Sequence, residues 1–344
     1  MSTTIIAFIA TAVVFDFLNG FHDSSNIVST MISSRALSPR QALFITAVAE
    51  FVGPFIFGVA VATTIGSEVL SHEVLTIAVI LSGLVSAVGW NILTWYLGIP
   101  SSSSHALIGG LIGAALCDSA IHQAGSGFYT INDAYAVFAV IKVAGILKIL
   151  IALLVSPVLG LAAGFIVMRL IRFFFRGVGP GINSFFKRGQ VVTAISLALS
   201  HGTNDAQKTM GVITMGLLAT GVITEFKVPI WVVALSAGTI AAGTATGGWR
   251  LIRTLGGKFY KIRPVHGFTT QISAASVILG AALVGGPVST TQVVSSAIMG
   301  AGSAERITKV RWTVGKQIAL TWIVTIPSTA LVAALVFLII RRFV

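Results

Sequence analysis

Ten apolar runs, separated by short polar stretches, fill nearly the whole chain and decide what it can become. They fall at about 4–32, 41–63, 75–97, 104–118, 134–169, 190–222, 229–249, 266–285, 292–302 and 317–340. A hydrocarbon layer ~30 Å thick takes about 20 residues of helix to cross, so 344 residues allow roughly ten spans with short loops. Nothing is left for a sizeable soluble domain. Only 9% of the residues are charged, against roughly 25% in soluble chains, and a water-soluble globular fold is excluded. The expectation is an all-α polytopic protein of the cell membrane with about 10–12 membrane segments. Met1 to Phe15 carries no positive charge before its apolar stretch, so this segment reads as a first span that stays.

The charge that remains is lopsided, with 22 Lys and Arg against 10 Asp and Glu. In a soluble protein that excess would suggest nucleic acid, but no platform of aromatic and basic residues is present. The basic residues sit between apolar runs and mark cytoplasmic loops. Arg169, Arg172, Arg176, Lys187 and Arg188 form a central connection. A second group is Arg250, Arg253, Lys258, Lys261 and Arg263, and a third is Arg306, Lys309, Arg311 and Lys316. The segments near Glu68, His72 and Glu73, and from Asp118 to Asp133, contain neither Lys nor Arg. With the basic loops inside, the N-terminus is external and each half crosses five times. Arg341 and Arg342 then fall outside, a departure from the rule. An odd count makes the halves run in opposite senses, the signature of an inverted repeat. The predicted division is 1–168 and 189–344, joined by the basic connection 169–188. Cys117 stands alone, which excludes an intrachain disulfide and a cysteine-rich metal site.

Runs 4–32 and 190–222 are too long for one span and carry polar residues midway, while 104–118 and 292–302 look short. The pattern predicts broken helices and re-entrant helical hairpins in both halves. Two motif pairs support the duplication. Asn19-Gly20-Phe21-His22-Asp23 faces His201-Gly202-Thr203-Asn204-Asp205, with Asn and His exchanged around a shared Gly and Asp, 182 residues apart. Gly98 to His105 reads G-I-P-S-S-S-S-H and Gly285 to Gln292 reads G-G-P-V-S-T-T-Q, 187 residues apart at their prolines. The same order and nearly the same register point to an internal repeat.

A buried ionisable group in a bilayer costs at least ~2.5 kcal/mol, so Asp23 and Asp205 are candidates for function. Amides surround them: Asn19, Asn26, Asn204 and Gln207. Carboxylate and carboxamide oxygens at a helix break are hard ligands suited to Na⁺ or H⁺. The alternative is that each Asp caps the helix it precedes. Ser102-Ser103-Ser104 and Ser289-Thr290-Thr291 follow prolines and open apolar helices. Hydroxyls and free N–H groups at a new helix start can cradle an oxyanion, and two inverted sites could grip a tetrahedral one from both sides. The blander reading has these hydroxyls bonding back to their own helix.

Other polar residues are harder to place. Glu50 lies mid-run without an acidic counterpart near Ala237, as a coupling group or a buried neutral acid. Asp16 has no acidic counterpart at Ala198. His105 could donate to an anion, with Gln292 as its equivalent, and Lys208 could offset substrate charge or pair with Asp205. A hydrolase reading fails, because Ser104 and His105 point about 100° apart on a helix and no nucleotide or nucleophile-elbow motif is present. A channel would need a continuous polar stripe, whereas polar residues cluster at two repeated depths.

With these residues in view, the chain resembles the PiT-type inorganic phosphate transporters over nearly its whole length. Gly20 to Asn26 matches that family's G-[AF]-[NH]-D-x-[AS]-N string and His201 to Lys208 its H-G-[AT]-N-D-x-Q-K string. Both G-x-P-hydroxyl motifs match as well, as does the A-x-x-E-F-x-G-P string around Glu50. Ser24-Ser25 and Gln292 depart from the usual residues. The long soluble loop of animal members is missing, which suggests a compact prokaryotic form. The resemblance implies phosphate import driven by a cation gradient, with sodium the first expectation. A proton-coupled or metal-phosphate symporter is the alternative, and a sulfate permease of the same fold is another. The site implied is phosphate between the two hydroxyl clusters with Asn204 and Gln207, and sodium at Asn19, Asp23, Asn26, Asn204, Asp205 and Gln207. Glu50, His105 and Lys208 are candidates for coupling. No cofactor is expected beyond co-transported sodium ions, and a homo-oligomer is left open.

Overall fold

The computed structural model describes residues 3–71, 74–125, 137–179, 181–257 and 259–343, and its named elements are all helices. The first half holds α1 (Thr3–Ser33), α2 (Pro39–Phe57), α3 (Ala60–Glu68), α4 (Ile77–Leu97), α5 (Ser103–Gly125) and α6 (Val143–Phe174). The second holds α7 (Ile182–Ala219), α8 (Ile230–Thr246), α9 (Trp249–Gly257), α10 (Pro264–Leu283), α11 (Thr290–Glu305) and α12 (Trp312–Ile340). Each helix of one half has a counterpart in the other. Arg169 and Arg172 lie within α6, and Lys187 and Arg188 within α7, so the two halves are joined between Phe174 and Ile182. His72, Glu73, Lys258 and the part of the expected external loop that includes Asp133 lie outside the described residues.

The halves exchange partners. α1 packs on α8 and α9, and α7 on α2 and α3; α5 packs on α12, and α11 on α6. Within each half α1 meets α4 and α7 meets α10. Each of these contacts thus has its two-fold equivalent, as expected of inverted repeats.

The breaks do not fall in the long runs 4–32 and 190–222. α1 is one helix of 31 residues and α7 one of 38. Neither contains a proline, and their mid-helix polar groups find partners on neighbouring helices, so nothing forces the backbone open. The capping alternative for Asp23 and Asp205 fails for the same reason. It is the second span of each half that breaks, at Gly58 (φ 82°) and Gly247 (φ 73°), and α8 and α9 meet at 71°. The runs 41–63 and 229–249 had read as plain spans.

Gly98 and Gly285, with φ of 66° and 71°, explain the G-x-P pattern. A left-handed residue ends α4 and, in the second half, turns the chain after α10, and the proline two residues later stops the helix from resuming. Ser102 Oγ then accepts the His105 amide (3.2 Å) at the start of α5. Ser289 Oγ accepts that of Gln292 (3.4 Å) at the start of α11.

Six described helices are long and apolar enough to cross a membrane, α1, α2, α4, α5, α6 and α12, and the bent α8–α9 pair makes a seventh. The larger number read from the sequence also counted α7, α10 and α11. Those three are rich in polar side chains or short, and they form the polar middle of the bundle; α11 is buried along Thr290–Ala304. α6 and α12 line the outside with exposed apolar residues such as Leu154, Val158, Ile323 and Leu331. Apolar outside and polar within is the pattern of a helix bundle in lipid.

Candidate functional site

The helical period sets the site. Asp16, Asn19, Asp23 and Asn26 are three or four residues apart and share one face of α1; His201, Asp205 and Lys208 do the same on α7. The glycine common to both motifs seats each of these helices against the second span of the other half. A Cβ on Gly20 would sit 2.1 Å from the Ile240 carbonyl oxygen of α8, and one on Gly202 2.2 Å from the Glu50 carbonyl oxygen of α2. Only a residue without a side chain permits this approach.

The two faces meet at the first turn of α11. Thr290 Oγ1 donates to Asp23 Oδ2 (3.1 Å) and lies 3.4 Å from Asp205 Oδ2, so one hydroxyl bridges acids from both halves. Thr291 Oγ1 donates to Asp23 Oδ1 (2.9 Å) and accepts from Asn26 Nδ2 (2.9 Å). Asn19 Nδ2 reaches Asp205 Oδ2 (3.4 Å), and its carbonyl oxygen accepts from Ser103 Oγ (2.6 Å). Lys208 Nζ pairs with Asp205 Oδ1 at 2.8 Å, which settles the partner that the sequence had left open.

His201 sits at the centre. Its Nδ1 is 2.7 Å from Glu50 Oε1, and its Nε2 is 3.5 Å from Asp23 Oδ2 and 3.6 Å from Asp205 Oδ2. His22 Nδ1 adds a contact of 3.2 Å to Asp23 Oδ1. Neither histidine was among the residues singled out from the sequence. The signal was present, however, in the exchanged letters of the motifs. Asn19 and His201 are equivalent positions, and each reaches across to the other half's aspartate.

None of these side chains is more than 3% exposed, so the groups have only one another for solvation. The acids Asp23, Glu50 and Asp205 are all buried, with one ammonium, Lys208, and the His201 imidazole among them. The cluster thus gathers more carboxyl oxygens than the single ammonium can engage, a set of hard ligands suited to a cation. Asp23, His201 and Asp205 each present a ligand atom within 4.8 Å of the others, close enough to share one ion.

The remaining candidates are placed around this centre. Ser104 Oγ and Lys208 Nζ both donate to the Val288 carbonyl oxygen, each at 3.1 Å. Asn204 braces the same loop, donating to Gly286 O (3.2 Å) and accepting from Val288 N (3.3 Å). Ser102 and Ser289 are occupied as helix caps. His105 lies 2.7 Å from Ser102 Oγ and 3.5 Å from Gln292 Nε2, so the two equivalent positions face each other. Gln207 is elsewhere: its Oε1 accepts from Val61 N (2.7 Å) and Ala62 N (3.1 Å), capping α3 at the Gly58 break. Asp16 accepts from Thr209 Oγ1 (2.8 Å), beyond the cluster on the same face of α1.

Known proteins resemble this chain in sequence and in fold. Residues 19–333 match the phosphate transporter family. A Bacillus subtilis protein named "Probable low-affinity inorganic phosphate transporter" is 40% identical over 98% of this chain and 97% of its own length. A Rhizobium meliloti protein of the same name is 39% identical, over 97% and 95%. A solved structure, "The sodium-dependent phosphate transporter", covers 100% of both chains with a TM-score of 0.86 at 23% identity, and so shares the fold.

Proposed function

This chain belongs to the phosphate transporter family, and we propose that it imports inorganic phosphate by symport with sodium ions, one half rocking against the other around a central site. The observation that carries this reading is the Thr290 hydroxyl held between Asp23 and Asp205. It joins a cation-seeking pair of acids to an anion-seeking helix start.

Phosphate carries one or two negative charges at neutral pH and cannot settle beside unneutralised carboxylates. Sodium ions bound by Asp23 and Asp205, with oxygens of Asn19, Asn26 and Thr290, supply the missing charge through hard ligands. A cation on those carboxylates also competes with the hydroxyls that now donate to them. Thr290 and Thr291 are thereby released to donate to phosphate, together with Ser103, Ser104 and the N–H groups at the starts of α5 and α11. Each ligand improves the site for the other, which is the thermodynamic content of coupling. Lys208 offsets part of the Asp205 charge and so limits the number of sodium ions required. Asn204 acts through the Gly286–Val288 loop that it holds.

The name of the solved structure sharing the fold supports sodium. One observation favours a second reading. His201, within reach of three carboxylates, is placed to pass a proton among them, as a proton-coupled carrier would need. Uptake of radiolabelled phosphate into proteoliposomes separates the two. A sodium gradient at constant pH should drive accumulation, and excess sulfate should not compete. Accumulation that follows a pH gradient with sodium equal on both sides would replace the sodium reading with the proton one.

A further inference from the structure

The three basic segments meet at one end of the bundle, and their meeting place is a crevice rather than a flat patch. Arg172 at the end of α6 donates to the Ala304 carbonyl oxygen in the last turn of α11 (3.2 Å). Arg263, just before α10, pairs with Glu305 at the end of α11. Beside these bonds lies a cavity of about 720 Å³ lined by Arg169, Arg172, Arg176 and Arg263, with no carboxylate among its lining residues. A neighbouring cavity of about 590 Å³ shares Arg172 and Arg263 and adds Arg306 and Lys309. Its one acid, Glu305, is already engaged by Arg263, His266 and Lys309.

A rule that places positive charge on the cytoplasmic side explains the sign of these residues. It does not explain why cations from two segments converge on one cavity, nor why the rest of its wall, Asn183 apart, is apolar. Phe173, Phe175 and Phe186 line it beside the arginines. Below it the outer face of α6 continues as exposed Leu159, Ile166 and Leu170. A free inorganic anion has no use for that apolar face, whereas a molecule with a phosphate head and hydrocarbon tails fits both parts.

We propose that this crevice binds the headgroup of an anionic phospholipid of the cytoplasmic leaflet, its phosphate among Arg169, Arg172, Arg176 and Arg263 and its acyl chains along α6. Basic pockets between helix ends on the cytoplasmic side are suited to such headgroups. Because α6 belongs to the first half and Arg263 to the second, the lipid bridges the seam between them.

The test is native mass spectrometry of the purified full chain with phosphatidylglycerol and with phosphatidylcholine of the same acyl composition. Phosphatidylglycerol should be retained selectively. Arg169→Gln with Arg176→Gln should weaken its binding roughly 30-fold, about 1 kcal/mol per arginine. Among the described residues neither arginine belongs to an ion pair, and Arg169 lies 5.2 Å from the Phe165 ring centre. The melting temperature in phosphatidylcholine reports whether the variant folds. Should the pair fail to fold, Arg176→Gln alone should weaken binding about fivefold. Equal retention of both lipids, unchanged affinity in the variants, or displacement of the lipid by millimolar inorganic phosphate would each overturn the proposal.

Discussion

Replacing Gly202 with alanine tests the backbone contact on which the site is built. The added Cβ would sit 2.2 Å from the Glu50 carbonyl oxygen, where ordinary contact begins at 3.4 Å. The neighbouring atoms are backbone, not the tip of a flexible side chain, so α7 and α2 must part by roughly 1 Å at a typical overpacking cost of about 1–3 kcal/mol. The loss has a functional side as well, because His201 adjoins this position and Asp205 lies one turn further along α7. A shift of that size there should lower phosphate uptake roughly tenfold or more. The control is Gly238→Ala on α8, where nothing lies within 4 Å. Alanine is the better helix former by about 1 kcal/mol, so this variant should melt at or above the parent. The two substitutions are chemically identical and should differ in sign. Melting curves in detergent and uptake into proteoliposomes read both. The reasoning fails if Gly202→Ala melts and transports like the parent, or if Gly238→Ala is equally damaging.

Asp23→Asn and Asp205→Asn should each abolish sodium-dependent uptake in protein that still inserts; sodium stimulation like the parent's in both would remove the cation assignment. Ser104→Ala and Thr291→Ala should raise the phosphate KM by the equivalent of ~1–3 kcal/mol while sodium dependence survives, and unchanged KM in both would move phosphate elsewhere. Lys208→Met strands the Asp205 carboxylate and should cost roughly 3–5 kcal/mol, seen as a lower melting temperature that Asp205→Asn largely restores in the double variant. In a Cys117→Ala background, a cysteine at Lys187 should react with an impermeant thiol reagent only from the cytoplasmic side and one at Glu225 only from outside; the reverse would invert the orientation.

What could be read from residues and what could not divide along a physical line. The doubled motifs were legible because their glycines, prolines and acids are irreplaceable in kind: Gly98 and Gly285 need a left-handed backbone, and Gly20 and Gly202 have no room for a side chain. The meeting of Asp23 with Asp205 followed from symmetry alone. The breaks are not legible in this way, because polar residues in mid-run suggest an opened helix, whereas Asn19, Asp23 and Asp205 are satisfied by Ser103, Thr291 and Lys208 with the helix intact. Such partners lie 84, 268 and 3 residues away in sequence, and two of those three separations leave no local trace. The place of Gln207 is hidden for a related reason, since the end of α3 that it caps exists only because Gly58 breaks the second span. His201 is marked only by its exchange with Asn19, a pattern that does not by itself say that each side chain reaches the other half's aspartate.

The exchange of partners between halves bears on how such a chain is made. α1 emerges from the ribosome with Asp16, Asn19 and Asp23 on a face that α7 and α11 will cover, and α11 ends only at Glu305. α2 and α3 likewise wait for α7. Neither half can shield its own acids from lipid, so the first must remain loosely held, still hydrated or in the care of the insertion machinery, until the second is threaded beside it. Assembly is then a single late event involving both halves, and a chain interrupted after α6 leaves a fragment with nothing to close against.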